Sequence, residues 1–96
     1  MSWYTYILLC DQKTYYIGLT NNITNRLSSH KRRENIGTKE FSDIQLIYKE
    51  EYPTRKLAEK RENQIKGWSR AKKKALIEGN TELLIELSKT YEHTEG

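Results

Sequence analysis

The apolar and polar positions of the chain mark out its elements in order. Trp3 to Cys10 is β-branched and aromatic, with Trp3, Thr5, Ile7 and Leu9 facing one way and Tyr4, Tyr6, Leu8 and Cys10 the other. Asp11-Gln12-Lys13 is a polar break of hairpin length, after which Thr14 to Leu19 resumes the strand character. A three-residue loop sets Cys10 opposite Thr14, Leu8 opposite Tyr16 and Tyr6 opposite Gly18, which makes Tyr6 and Tyr16 diagonal neighbours on one sheet face. Thr20-Asn21-Asn22 supplies capping side chains for a short helix from Ile23 into Lys31-Arg32-Arg33, with Ile23 and Leu27 as its apolar line. Glu34 to Ser42 has few apolar residues and reads as a loop; Asp43 to Glu51 alternates Ile44, Leu46 and Tyr48 against Gln45, Ile47 and Lys49, a third strand.

The second half is helical. Thr54 caps a helix reaching Trp68, with the apolar line Leu57, Ala58, Ile65 and Trp68. Glu62 falls on that line's side, four residues after Ala58 and three before Ile65. Ser69 caps a further helix containing Ala75, Leu76 and Ile77, stopped at Gly79-Asn80, and Thr81 to Lys89 is a last one with Leu83, Leu84 and Leu87. The expectation is a single domain over 1–96, with its core over 3–78, a C-terminal helix over 80–91 and frayed residues at 92–96.

Composition narrows the class. The chain has 96 residues, room for one modest core. No apolar run is long enough to span a bilayer and the first residues carry no secretory pattern, so no membrane association is expected. Cys10 is the only cysteine and His30 and His93 the only histidines, which excludes a disulfide framework and a four-ligand Cys/His zinc site. The reducing cytoplasm is the expected compartment. Of the net charge of +4, residues 1–53 hold +1, residues 54–74 hold +7 and residues 75–96 hold −4. A basic excess gathered into one segment suggests a polyanion partner; a lysine-rich solvated helix is the plain alternative.

Five side chains remain as candidates for chemistry. Tyr6 and Tyr16 share a sheet face, Arg26 and His30 share a helix face, and Glu62 is an acid set against the apolar side of a basic helix. Phosphodiester cleavage calls for such a set: a group that takes a proton from water, a cation beside the phosphate oxygens, and a hard oxygen ligand for a divalent ion. Each also has a plain reading. Strand tyrosines pack, Arg26 is a solvated helix arginine, His30 favours a helix end, and Glu62 pairs with Lys66 one turn on.

Order and spacing add to this. Tyr4-Thr5-Tyr6-Ile7, Tyr16-Ile17-Gly18-Leu19-Thr20, then Arg26-x3-His30 and Glu62 in a basic helix resemble the GIY-YIG nuclease domain family over residues 3–78. Tyr4 and Thr5 depart from the pattern, standing where the family has Gly and Ile. Tyr4-x-Tyr6-Ile7-Leu8-x-Cys10 and Ala58-x3-Glu62-x2-Ile65-Lys66-x-Trp68 resemble its small stand-alone bacterial branch. The resemblance implies an α/β (α+β) fold, a three-stranded antiparallel sheet flanked by helices. It implies single-metal hydrolysis of DNA, with Mg²⁺ or Mn²⁺ as cofactor and RNA left open as a substrate.

Carried over by position, Tyr6 is the leading candidate to deprotonate the attacking water, on condition that nearby cations, Arg26 and the metal, lower its pKa, and Tyr16 orients water or phosphate. Arg26 steadies the phosphate, His30 assists proton movement by bonding a tyrosine hydroxyl, and Glu62 holds the metal. Gly18 leaves space beside Tyr6 for phosphate. Lys31, Arg32, Arg33, Lys60, Arg61, Lys66, Arg70, Lys72, Lys73 and Lys74 track the nucleic-acid backbone. Two rival classes are a nucleic-acid-binding module of the same fold without cleavage, and a protein-interaction domain docking through the acidic C-terminal helix (Glu82, Glu86, Glu92, Glu95).

Overall fold

The computed structural model describes residues 2–32, 37–38 and 40–95, with backbone alone for 90–95. The expected role of Arg33 lies outside the described residues. The chain forms two compact units, Met1–Lys66 and Gly67–Gly96. The first holds β1 (Trp3–Cys10), β2 (Thr14–Thr20), α1 (Ile23–Lys31), β3 (Ile44–Tyr52) and α2 (Arg55–Lys66). The second holds α3 (Arg70–Glu78) packed with α4 (Thr81–Glu95). None of the helices, among the described residues, is long and apolar enough to cross a membrane.

The sheet is three-stranded and antiparallel in the order β2-β1-β3, so the strand with Tyr6 is central. The β1–β2 register is the one expected: Cys10 opposite Thr14, Leu8 opposite Tyr16, Tyr6 opposite Gly18. The loop between them takes positive φ at Asp11 (51°) and Gln12 (60°), a conformation for which Asp is among the better residues. Its geometry is tied to the start of β3, because Asp11 Oδ1 accepts from the backbone N–H groups of Ser42 (2.9 Å) and Asp43 (2.8 Å).

Strand β3 departs from simple alternation. Leu8 pairs with Leu46 but Ile7 with Tyr48, so the register shifts between them and Ile47 is the extra residue. The single line expected through Ile44, Leu46 and Tyr48 is therefore split. Ile44 and Leu46 join Tyr6, Leu8 and Cys10 on one face, packed under Ile23 and Leu27 of α1. Tyr48, Glu50 and Tyr52 face the other way with Thr5 and Ile7. Helix α2 covers this second face: Thr5 Oγ1 donates to the Ala58 carbonyl (2.6 Å), and Ala58 and Ile65 are fully buried.

The helix starts follow the capping chemistry. Asn22 Oδ1 accepts from Asn25 N–H (3.0 Å), Thr54 Oγ1 from Leu57 N–H (3.3 Å) and Ser69 Oγ from Lys72 N–H (3.2 Å). Gly79 ends α3 in the left-handed conformation, φ 70°. Helix α2 stops at Lys66, not at Trp68, and Leu57 is 46% exposed, so the apolar line of α2 is Ala58 and Ile65 alone.

Candidate active site

The site is built where β1, β2 and α1 meet. A central strand buries its side chains on both faces, so Tyr6 is only 2% exposed. Its ring lies over Gly18: a Cβ there would stand 2.3 Å from both Cζ and Oη of Tyr6. The open space expected beside Gly18 is thus taken by the phenol itself. Gly18 is buried, so it has no surface to offer a nucleic acid. What the missing side chain allows is the seat of Tyr6.

From that seat Tyr6 Oη reaches His30 Nε2 at 2.9 Å. His30 sits at the end of α1, one turn after Arg26, and is fully buried despite its polarity. Its other ring nitrogen, Nδ1, is 2.6 Å from the hydroxyl of Thr38, which is also fully buried. The Tyr16 ring meets His30 edge-on, with centroids 5.2 Å apart, and Gly37 backs that ring so closely that a Cβ would lie 2.6 Å from Tyr16 Cε2. Gly37 and Thr38 therefore seat Tyr16 and His30 from neighbouring positions. Nothing in the pattern of the 34–42 stretch marked Thr38; a lone Thr in a polar loop carries no periodic signal.

Arg26 is exposed and lines, with Tyr6, Leu8, Ile23, Leu27 and Leu46, a groove too narrow to admit water between its walls. Glu62 comes from α2 on the far face of the sheet, yet its side chain is only 14% exposed. Its carboxylate pairs with Lys66 at 3.3 Å. That helix is fixed by the Thr5–Ala58 bond, one turn before Glu62, so Thr5 at a departed motif position acts as an anchor for the helix bearing the acid. Tyr4, the other departure, lies under the Lys49 ammonium, 5.7 Å from its ring centroid.

Electrostatics tie the parts together. Burial pushes the Tyr6 phenol far above its ordinary value; Tyr16 adds to the rise, Arg26 opposes it and Glu62 adds a further increment. Arg26 acts in the expected direction, but among the protein groups burial outweighs the guanidinium. Burial also holds His30 below the ordinary imidazole value, and Arg26 pushes the same way. The Tyr6–His30 pair is neutral near pH 7.

The structure thus joins Tyr6, Tyr16 and His30 directly, and sets Arg26 and Glu62 near enough to act on Tyr6. Of the five, Tyr6 and Arg26 line one narrow groove together. Of the expected backbone-tracking cations, Lys31, Arg32, Lys60 and Lys66 are exposed in the first unit, and Arg70 and Lys74 in the second. Arg61 is not: it lies against Glu50, donating through Nε at 2.8 Å and Nη2 at 3.1 Å. Lys72 and Lys73 are half-buried, and the Lys72 ammonium sits 4.3 Å from the Trp68 ring centroid.

No set of three His, Cys, Asp or Glu side chains that could hold a metal ion occurs among the described residues. A lone carboxylate such as Glu62 nevertheless fits a hard divalent cation that keeps several waters and takes its remaining ligands from substrate phosphate.

Residues 2–75 match the GIY-YIG catalytic domain. The chain belongs to this family. A UPF0213 protein of Bacillus pumilus is 35% identical over 92 residues, 95% of this chain and 91% of that one. Another, from Syntrophus aciditrophicus, is 41% identical over 81 residues, 82% of this chain and 93% of that one. The solution NMR structure of a UPF0213 protein from Bacillus halodurans matches with a TM-score of 0.54 at 28% identity, covering 81% of this chain and 84% of that one. The likeness is thus to small members of the GIY-YIG family, and the α+β fold with its three-stranded antiparallel sheet is theirs. Membership supports a nuclease role and implies a nucleic-acid substrate; GIY-YIG nucleases are generally dependent on a divalent metal.

Proposed function

We propose that this protein is an endonuclease that hydrolyses DNA phosphodiester bonds with Tyr6 and His30 as its proton-handling pair, Arg26 on the phosphate and Glu62 on a single Mg²⁺ or Mn²⁺. The observation that carries the reading is the buried Tyr6 Oη–His30 Nε2 bond at 2.9 Å, with Arg26 and Glu62 both acting on the same phenol.

A phenol of raised proton affinity is a poor standing tyrosinate at neutral pH. Coupled to a neutral imidazole it needs no standing charge. As water attacks phosphorus, its proton passes to Tyr6 Oη while the phenol's own proton passes to His30 Nε2. One P–O bond forms from the water oxygen and one P–O bond to the leaving oxygen breaks, giving a phosphate monoester and an alcohol once the leaving oxygen is protonated. Arg26, exposed beside Tyr6, binds a nonbridging phosphate oxygen and offsets charge as it builds. The groove between them admits no water when closed, so the attacking water enters with the phosphate as DNA binding parts its walls. Tyr16, edge-on to His30, keeps the imidazole in line. Glu62 would hold the cation, which, when bound, stabilises charge on the leaving oxygen.

The test is DNA cleavage by wild type, Glu62→Ala and Arg26→Ala with Mg²⁺ or Mn²⁺ and with chelator. Metal-dependent cleavage lost in both variants, at unchanged circular dichroism, is expected; cleavage surviving both substitutions or chelation rejects the proposal. One feature favours a second reading, binding without turnover: burial leaves Tyr6 protonated. Salt-sensitive DNA binding without cleavage under any metal condition would establish it.

A further inference from the structure

We infer that Thr38 is a positioning residue: its hydroxyl holds His30 in the tautomer with the proton on Nδ1, so that the Nε2 lone pair faces Tyr6. The inference rests on the reading of Tyr6 and His30 as a proton-handling pair for its functional consequence, but its structural content stands apart from it.

A neutral imidazole has one N–H and one lone pair, and here both nitrogens are engaged, Nε2 with Tyr6 Oη and Nδ1 with Thr38 Oγ1 at 2.6 Å. Tyr6, His30 and Thr38 are at most 2% exposed, so solvent does not compete for either nitrogen. Two arrangements satisfy the chain. In one, Tyr6 donates to Nε2 and Nδ1–H donates to Thr38. In the other, both bonds run in reverse. A phenol is a far better proton donor than an aliphatic hydroxyl, because its oxygen lone pairs are delocalised into the ring. For the same reason it is the poorer acceptor. The first arrangement pairs the better donor with the lone pair and the better acceptor with the N–H.

The consequence is directional. With the lone pair on Nε2, the Tyr6 proton has somewhere to go as water is deprotonated, and the imidazolium so formed keeps an acceptor at Nδ1. A carboxylate there would hold the imidazole charged; a hydroxyl orients it and leaves it neutral, in keeping with the proton affinity of His30 that burial, and then Arg26, lowers. The seat of Thr38 is itself constrained: its carbonyl accepts from Phe41 N–H (3.1 Å), and its neighbour Gly37 backs the Tyr16 ring.

The experiment is ¹⁵N NMR of the imidazole nitrogens in the metal-free protein near neutral pH, which reads the tautomer with no substrate and no catalysis. Wild type is expected to show a protonated Nδ1 and a bare Nε2 at His30. Thr38→Val should shift population toward Nε2–H, and Thr38→Ser should restore the wild-type pattern. A wild-type His30 carrying its proton on Nε2 overturns the inference with no variant needed, as does an Nδ1–H population that Thr38→Val leaves unchanged. In the cleavage assay Thr38→Val should lower kcat about tenfold, the loss typical of one buried orienting bond, with KM for DNA unchanged and with rescue in Thr38→Ser. A fall confined to KM counts against a positioning role. Should wild type not cleave at all, the nuclease reading fails while the tautomer result still decides what Thr38 does.

Discussion

The two faces of the sheet each carry a tyrosine cluster, buried on the α1 side and half-buried on the α2 side, and they are built on opposite plans. On the α2 face, Glu50 accepts from the hydroxyls of Tyr48 (2.5 Å) and Tyr52 (2.6 Å) and from two nitrogens of Arg61. Arg61 in turn donates to Gln64 at 2.8 Å. Burial alone would raise the Glu50 carboxyl, but the bonds from Arg61 and the two phenols outweigh it and hold the group below its ordinary value. That cluster has a charge at its centre and donors on every side. On the α1 face, the Tyr6–His30–Thr38 chain has no charge at its centre; the charged groups, Arg26 and Glu62, act from its edge. A saturated carboxylate ties β3 to α2. A neutral chain with ions at its margin is able to move a proton.

The largest expected contrast comes from deleting one hydroxyl on each face. Tyr6→Phe should cut cleavage about 100-fold or more, the usual worth of a general base or its relay. It should cost only about 1 kcal/mol of stability, the worth of one neutral buried bond. Tyr48→Phe should do the reverse, with cleavage per folded molecule unchanged and about 1.5 kcal/mol lost, since its bond is to a charged acceptor. Denaturant unfolding beside a cleavage assay reads both. Equal activity losses in the two variants would erase the distinction between the faces.

Removing Arg61 and titrating with acid sharpens the same contrast. Arg61→Leu should cost about 2–3 kcal/mol, below the range for a fully enclosed pair because both partners retain some contact with water. Glu50, depressed in the folded protein, adds stability that is present above its ordinary value of 4.5 and is lost as pH falls through the lower folded value. His30 is also depressed, but as a base. Its unfolded form takes up a proton first, so its share of stability is full above 6.5 and declines as pH drops below that. Wild type should therefore weaken in two stages on acidification. In Arg61→Leu the lower stage should shrink, since Arg61 is the largest influence lowering Glu50, while the upper stage stays. Loss of the upper stage instead would mean the two clusters are coupled through the sheet.

How much of this could be read from the chain follows from range of interaction. The hairpin register was legible because alternation and a three-residue turn are local, and with it came the diagonal of Tyr6 and Tyr16. The spacing of Arg26 and His30 was legible for the same reason. The shift at Ile47 was not, because a bulge is set by pairing with a distant strand, and it moved Tyr48 to the face where Glu50 and Arg61 meet. Arg61 reads as one more cation in a basic run until β3 brings Glu50 beside it. Gly18 was recognised as special for the wrong occupant: a gap in the sequence is filled in the fold by Tyr6. Thr38 was invisible, since its meaning is given entirely by His30 eight residues earlier.

The smallest expected effect concerns Glu62, where the plain and the functional readings coincide in one contact. Lys66 lies one turn beyond Glu62 and is 53% exposed, so the pair is a solvated one, worth at most about 0.5 kcal/mol. Lys66→Gln should leave unfolding within that margin. If Glu62 serves only to pair, nothing else changes. If Glu62 holds the cation, the ammonium competes with it for the same carboxylate, and its removal should lower the Mg²⁺ concentration for half-maximal cleavage about twofold, the equivalent of such a weak pair. Cleavage that becomes more metal-hungry in Lys66→Gln would mean that the lysine helps to place the carboxylate instead of occupying it. That result would move Lys66 from the surface into the site and blur the line between an edge of free ions and a saturated cluster.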